Sequence, residues 1–157
     1  MRRKGHHRVA FIRPEGDYGG DSESEEGLRE GMHDDPAATI HVLRHDGTAA
    51  HLISVLEAAM RSPERPTACV VARAMHVLTV VTHLMQRGRR IPQDLALVSR
   101  DDEAFLEHVT PAITRYTTSP IQFARRVSMA ARQLAESGAL PPRAIRLMPK
   151  LVRGETI

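Results

Sequence analysis

The sequence has one cysteine, no tryptophan, five other aromatic residues and only two lysines among its 157 residues. Each scarcity excludes something. Cys69 alone cannot build a disulfide framework, and a reducing, cytoplasmic compartment is expected. Phe11, Phe105, Phe123, Tyr18 and Tyr116 are too few for a surface that stacks bases or sugar rings. No apolar run approaches the ~18 residues of a membrane helix, so no membrane partner is expected. The run after the basic start, Val9-Ala10-Phe11-Ile12, is too short for an export signal.

The shortage of lysine explains the charge. Of 22 basic residues only Lys4 and Lys150 are lysine, which leaves 20 arginines against 19 acids and a formal charge of +3. The pI is about 9.6. The arginines are scattered, apart from Arg2-Arg3-Lys4 with Arg8 and the group Arg87, Arg89 and Arg90. Nucleic-acid binders carry a clustered basic stripe. This distribution reads as a solvated surface that does not itself grip DNA. The bulk composition, 41% hydrophobic and 26% charged, is that of one globular domain with a real core.

Short apolar runs alternate with amphipathic stretches. Val9–Ile12, Thr39–Leu43, Thr67–Ala72, Leu95–Val98 and Ile113–Tyr116 read as strands, and Ile145 to Val152 as one or two more. Helices are predicted over Glu25–Met32, Ala49–Met60, from about Val77 toward Gly88, and from Pro120 to about Glu136. Asp17 to Ser24 reads as a loop, Asp101 to Thr110 as an acidic loop or short helix, and Pro141-Pro142 as a linker. This alternation predicts an α/β fold: a three-layer parallel sheet with helices on both faces. A ligand should then sit beyond the carboxyl ends of the strands, near Arg13 to Tyr18, Arg73-Ala74 and Ser99 to Asp102.

Most chemistry-bearing patterns are missing. The nine histidines show no paired ligand spacing with a third ligand, so no metal site is expected. His76 and His83 read as surface or supporting residues. Ser99 lacks the glycines of a nucleophile elbow. Gly16, Gly19 and Gly20 are not followed by the Lys-Ser/Thr of a phosphate loop. The strand tips at Arg13-Pro14-Glu15 and Arg73-Ala74 lack the acids of a phosphoacceptor. No catalytic residue and no cofactor is expected. The sharpest signal is Asp101-Asp102-Glu103 at the fourth strand tip, where a carboxylate can accept hydrogen bonds from hydroxyls or an amine. The pattern alone favours an acidic helix start instead. Arg73 and Arg100 could also neutralise these acids internally.

Five segments, in order, resemble the lactose-repressor (LacI/GalR) family of transcriptional regulators. Gly5-His6-His7-Arg8-Val9-Ala10-Phe11-Ile12 is similar to the family's GHRRIAFI, and Pro66–Ala72 to PTAVFVAND. Gly88 to Asp102 resembles G-x-x-VP-x-DISVVGFDD, Pro111–Tyr116 resembles P-x-LTTV, and Pro149–Val152 resembles the closing P-x-LVVR-x-ST. The resemblance implies the C-terminal lobe of an effector-binding domain, one lobe of a periplasmic-binding-protein-like type I fold. Residues 1–157 would form the effector-binding and dimerisation lobe. Its core would be 1–116 and 144–157, with 117–143 a crossover and helix packing on a first lobe absent from this chain.

Ligand-binding positions implied by resemblance are Ser24, Arg73 and Asp101. Ser24 stands where the family has an arginine, Arg73-Ala74 where it has Asn-Asp, and Ser99-Arg100 where it has Gly-Phe; only Asp101 is kept. A hydroxyl in place of a guanidinium loses an oriented donor, so an altered or lost effector site is expected. Partners implied are a sugar- or nucleobase-like effector, a second copy of the chain through about Leu78 and Val109, and operator DNA only through a DNA-binding domain that this chain lacks. Val81 and Leu84 are expected to face the sheet. Alternatives are a single-lobe interaction module without a ligand and a periplasmic solute-binding protein.

Overall fold

The computed structural model describes residues 1–140 and 146–157. Six strands form one sheet: β1 (Arg8–Pro14), β2 (Thr39–His45), β3 (Ala68–Val71), β4 (Ala96–Ser99), β5 (Thr114–Thr117) and β6 (Lys150–Val152). Their order is β2-β1-β3-β4-β5-β6; the first five are parallel and β6 runs antiparallel to β5. Helices α1 (Gly19–Met32), α2 (Ala49–Arg61) and α3 (Ala74–Gln86) connect the first four strands, and α4 (Pro120–Ser137) lies between β5 and β6. The expected α/β class is correct, with β6 the one departure from a parallel sheet. The expected Pro141-Pro142 linker, Ile145 and the 144–145 boundary lie outside the described residues.

The register sorts side chains to two faces. Ala10, Cys69 and Leu97 align across β1, β3 and β4, as do Ile12 and Val71. With Leu52, Leu56, Val77, Val80 and Leu84 from α2 and α3 they make the larger core. Burial of the lone thiol pushes Cys69 up to about 12, so it is an inert part of this core. Phe11, Val70 and Val98 align on the opposite face, where α1 supplies Leu28 and Met32.

Two sequence expectations need correction. Of the expected loop Asp17 to Ser24 only Asp17 and Tyr18 stay outside regular structure: α1 starts at Gly19, so Ser24 lies within the helix. The glycine pair hid this, yet both residues adopt helical geometry, and Asp21 suits the positive first turn. Of the two readings of His76 and His83, surface or supporting, the surface one fails, since both are buried. His83 Nε2 bonds Glu57 Oε1 at 2.7 Å, and the His76 ring meets His45 edge-to-face at 4.4 Å.

His45 is fully buried; its Nδ1 accepts from the Gly47 N–H, while Nε2 has no hydrogen-bond partner. Burial, and then the nearby His76, push it down to about 4. Between about pH 6.5 and 4 the unfolded chain therefore binds a proton that the folded chain refuses, and stability falls as pH falls. His45→Asn keeps an acceptor for Gly47. Denaturant midpoints measured across that window should flatten in the variant. An unchanged pH dependence would remove His45 from the account.

The C-terminal segment completes the sheet. β4 and β5 pair only at Val98–Thr114 and Ser99–Arg115. Toward their amino ends Thr156 fills the gap. Its carbonyl accepts from Leu97 N–H at 2.7 Å, its hydroxyl donates to Leu97 O at 2.7 Å, and the same hydroxyl accepts from Thr114 N–H at 2.9 Å. The neighbouring Glu155 N–H donates to Ala112 O at 2.7 Å.

Candidate functional site

Four of the five parallel strands carry an arginine at or just past the carboxyl end, Arg13, Arg44, Arg73 and Arg100, and Arg115, second in β5, lies in register with Ser99 at the end of β4. That edge is where doubly wound sheets bind ligands. Here the arginines are occupied. Arg13 and Arg44 both reach Glu25, at 3.4 and 3.2 Å. Arg115 bonds Asp102 at 2.5 Å and Glu107 at 3.1 Å.

The centre of the rim is Asp21 in the first turn of α1, 1% exposed. Arg73, at the N-cap position of α3, grips it with both Nη atoms, at 2.8 and 2.9 Å. Arg100 Nη1 adds a third bond to Asp21 Oδ1 at 2.5 Å. Burial works to raise the Asp21 carboxyl, but the hydrogen bonds and charges of the two arginines outweigh it and hold it below its ordinary range. Arg100 shows the mirror image: burial opposes its charge, and Asp101 and Asp21 more than restore it. A forked guanidinium on a carboxylate is the geometry in which so buried a charge is tolerated. The Tyr18 ring caps the outer side, 5.8 Å from the Arg73 guanidinium carbon.

All three positions implied by the resemblance come together here, and all three are tied up. Ser24 Oγ donates to Gly20 O at 2.6 Å and accepts from Arg100 Nη1 at 3.3 Å. Arg73 is committed to Asp21. Asp101 Oδ1 accepts from Arg100 Nε at 3.0 Å, and Oδ2 lies 3.7 Å from Arg73 Nη1. Asp101 and Asp102 are not the start of a regular helix, since only a 3-10 turn follows at Ala104–His108. They serve as counter-charges to Arg100 and Arg115.

Sequence reasoning missed Asp21 and Glu25. A signal was present: residues 21, 25, 28 and 32 fall at spacings of four, three and four, one face of a helix. Starting the helix at Glu25 left Asp21 off the face that it shares with Glu25, Leu28 and Met32. Among the described residues no group of three or more His, Cys, Asp or Glu side chains could hold a metal ion.

Of the two expected interface positions, Leu78 is 38% exposed and shares an outer face of α3 with the exposed Met75 and Met85. Val109 is half-buried against the core and offers little free surface. Val81 and Leu84 face the sheet as expected, 2% and 1% exposed. None of the residues of α4 is buried; Phe123, Val127 and Leu134 lie exposed along one side of it.

The whole of residues 1–157 matches the periplasmic binding protein-like domain family, and the chain belongs to that family. Its fold is shared with solved regulators at low identity. A LacI transcriptional regulator from Bacillus cereus subsp. cytotoxis is 19% identical, with a TM-score of 0.87 over 99% of this chain and 56% of the other. A LacI family transcriptional regulator from Bifidobacterium animalis subsp. lactis is 17% identical, with a TM-score of 0.84 over 99% and 56%. A LacI family regulator from an Arthrobacter species, in complex with lactose, is 16% identical, with a TM-score of 0.77 over 99% and 58%. The chain thus spans a little over half the length of these proteins. No curated protein matches its sequence. Among the described residues no helix is long and apolar enough to cross a membrane.

Proposed function

We propose that this chain is the effector-sensing lobe of a lactose-repressor-type transcriptional regulator, and that its effector site has been closed by internal ion pairs. The observation that carries the reading is the Asp21–Arg73–Arg100–Asp101 network at the carboxyl edge. A polyol or a nucleobase needs unpaired donors and acceptors at this edge. Here Ser24, Arg73 and Asp101 spend theirs on one another's partners. A hydroxyl would have to break a charge-assisted bond to gain a neutral one, which loses energy.

The reading extends to the rest of the chain. DNA recognition belongs to a separate domain, the setting is cytoplasmic, and a second copy packs on the Leu78 face of α3. The segment 117–143 serves as crossover, with the exposed side of α4 covered by a first lobe. The Thr67 hydroxyl meets His6 Nδ1 at 3.2 Å, but it lies at the amino ends of β1 and β3 and also bonds Arg8 O, so no catalysis is assigned.

A thermal-shift panel of common mono- and disaccharides and nucleobases tests the closed site, because a ligand of the native state must raise the midpoint. The expected result is no rise at millimolar concentration. A saturable rise that disappears in Asp101→Ala would show the site to be open.

A further inference from the structure

The two edges of the sheet treat arginine differently. At the carboxyl edge Arg73, Arg100 and Arg115 are held by carboxylates at 2.5–2.8 Å. At the amino edge another set gathers. Arg8, Arg65 and Arg90 lie at the start of β1 and on the loops into β3 and β4. Arg61, Arg87 and Arg89 lie at or just past the ends of α2 and α3. They are far apart in the sequence, and the parallel topology brings them to one end. Arg8 Nε donates to Arg65 O at 3.0 Å, and the Ala96 N–H of β4 donates to Thr67 O, just before β3, also at 3.0 Å.

These arginines are not consumed. Five are exposed and Arg89 is half-buried. Arg8, Arg61 and Arg65 make no ion pair among the described residues. Arg87 and Arg89 stand 3.8 and 4.0 Å from Glu57, and Arg90 stands 3.6 Å from Asp94. Both acids make their short bonds elsewhere, Glu57 to His83 and Asp94 to the Arg90 N–H, each at 2.7 Å. Glu64 is the one further acid on these loops. Asp34 and Asp35, before β2, border the patch and are matched in number by Arg3 and Lys4, before β1.

The make-up of the patch selects its partner. No large hydrophobic side chain of 61–67 or 87–94 is exposed, so a protein would find no apolar anchor there. No aromatic ring stands in these loops for bases to stack on. Forked guanidiniums spread over two layers, strand ends and helix ends, suit two rows of phosphates. From these features we infer that the amino edge binds the phosphate backbone of duplex nucleic acid without reading its sequence. This goes beyond the regulator reading, in which recognition of an operator belongs to a separate domain.

Fluorescence anisotropy of two unrelated duplexes of about 20 base pairs, titrated with the 157-residue chain, tests it. Both duplexes should bind equally at low salt. With about four phosphates neutralised, affinity should fall roughly a hundredfold between 50 and 200 mM NaCl. Arg61→Ala/Arg65→Ala should weaken binding at least tenfold at 50 mM and flatten the salt dependence. Arg87→Ala/Arg90→Ala, on the other loop, should do the same. Arg125→Ala/Arg126→Ala removes the same charge from exposed positions of α4 and should change affinity less than threefold. No binding at 50 mM NaCl by the folded chain overturns the inference. So does equal weakening by the α4 variant, which would mean bulk charge and no defined surface. So does a tenfold preference for one duplex. So does competition by poly-glutamate as strong as that by unlabelled duplex, which would make the partner an acidic protein.

Discussion

Asp21→Ala should destabilise the chain by about 3 kcal/mol, the scale seen when one partner of a buried ion pair is removed. The cause is not the loss of attraction alone. Arg73 and Arg100 converge on the carboxylate with side chains 29% and 21% exposed. Without Asp21 they face each other with only Asp101 between them and little water to solvate them. Asp21→Asn keeps the shape and one acceptor oxygen, and should cost less.

The pH dependence separates charge from packing. The Asp21 carboxyl sits below its ordinary 3.8 in the folded chain. Its contribution is therefore complete above that value and is lost as pH falls through the lower, folded one. Urea unfolding from pH 7 to 2.5 should show Asp21→Ala converging on wild type at the acid end. A constant gap across the range would mean that packing, not the ion pair, carries the effect.

Gly154→Ala should cost at least about 3 kcal/mol, the upper range for forcing an atom into a packed site. A Cβ at this position would lie 2.2 Å from the carbonyl oxygen of Ala112 and 2.6 Å from the carbonyl carbon of Ile113. Both are backbone atoms and cannot swing aside. The strain falls where Gly154 N–H donates to Thr114 Oγ1 and where Thr156 stitches β4 to β5. Thr156→Val is the milder companion. It keeps the shape, leaves Thr114 N–H without an acceptor, and should cost on the order of 1–3 kcal/mol. Equilibrium denaturation of both variants checks this, with Gly154→Ala the larger loss.

These two positions show what was legible in the sequence. Strands such as Val9–Ile12 and Leu95–Val98 announce themselves because buried parallel strands are continuous apolar runs. The arms of the candidate site were visible at Arg73 and Asp101 because strand tips follow directly from strand ends. Asp21 was not, because two glycines made its helix look like a loop and because a buried acid has no signature of its own. Its meaning depends on two arginines 52 and 79 residues away. Thr156 was hidden for a similar reason. A threonine next to the last residue looks like a frayed end until its hydroxyl is seen bridging two strands. Resemblance pointed to the carboxyl edge of the sheet, and only the fold showed that the side chains there are paired with one another.

Arg73 is consumed by Asp21 and is not available to a ligand. A double-mutant cycle of Asp21→Ala and Arg73→Ala, read by urea unfolding at pH 7, measures this directly. The expected coupling is about 2 kcal/mol or more, with the double variant more stable than the sum of the two losses implies. Additive losses, with coupling under about 0.5 kcal/mol, would contradict it and return Arg73 to the pool of free ligand-binding groups.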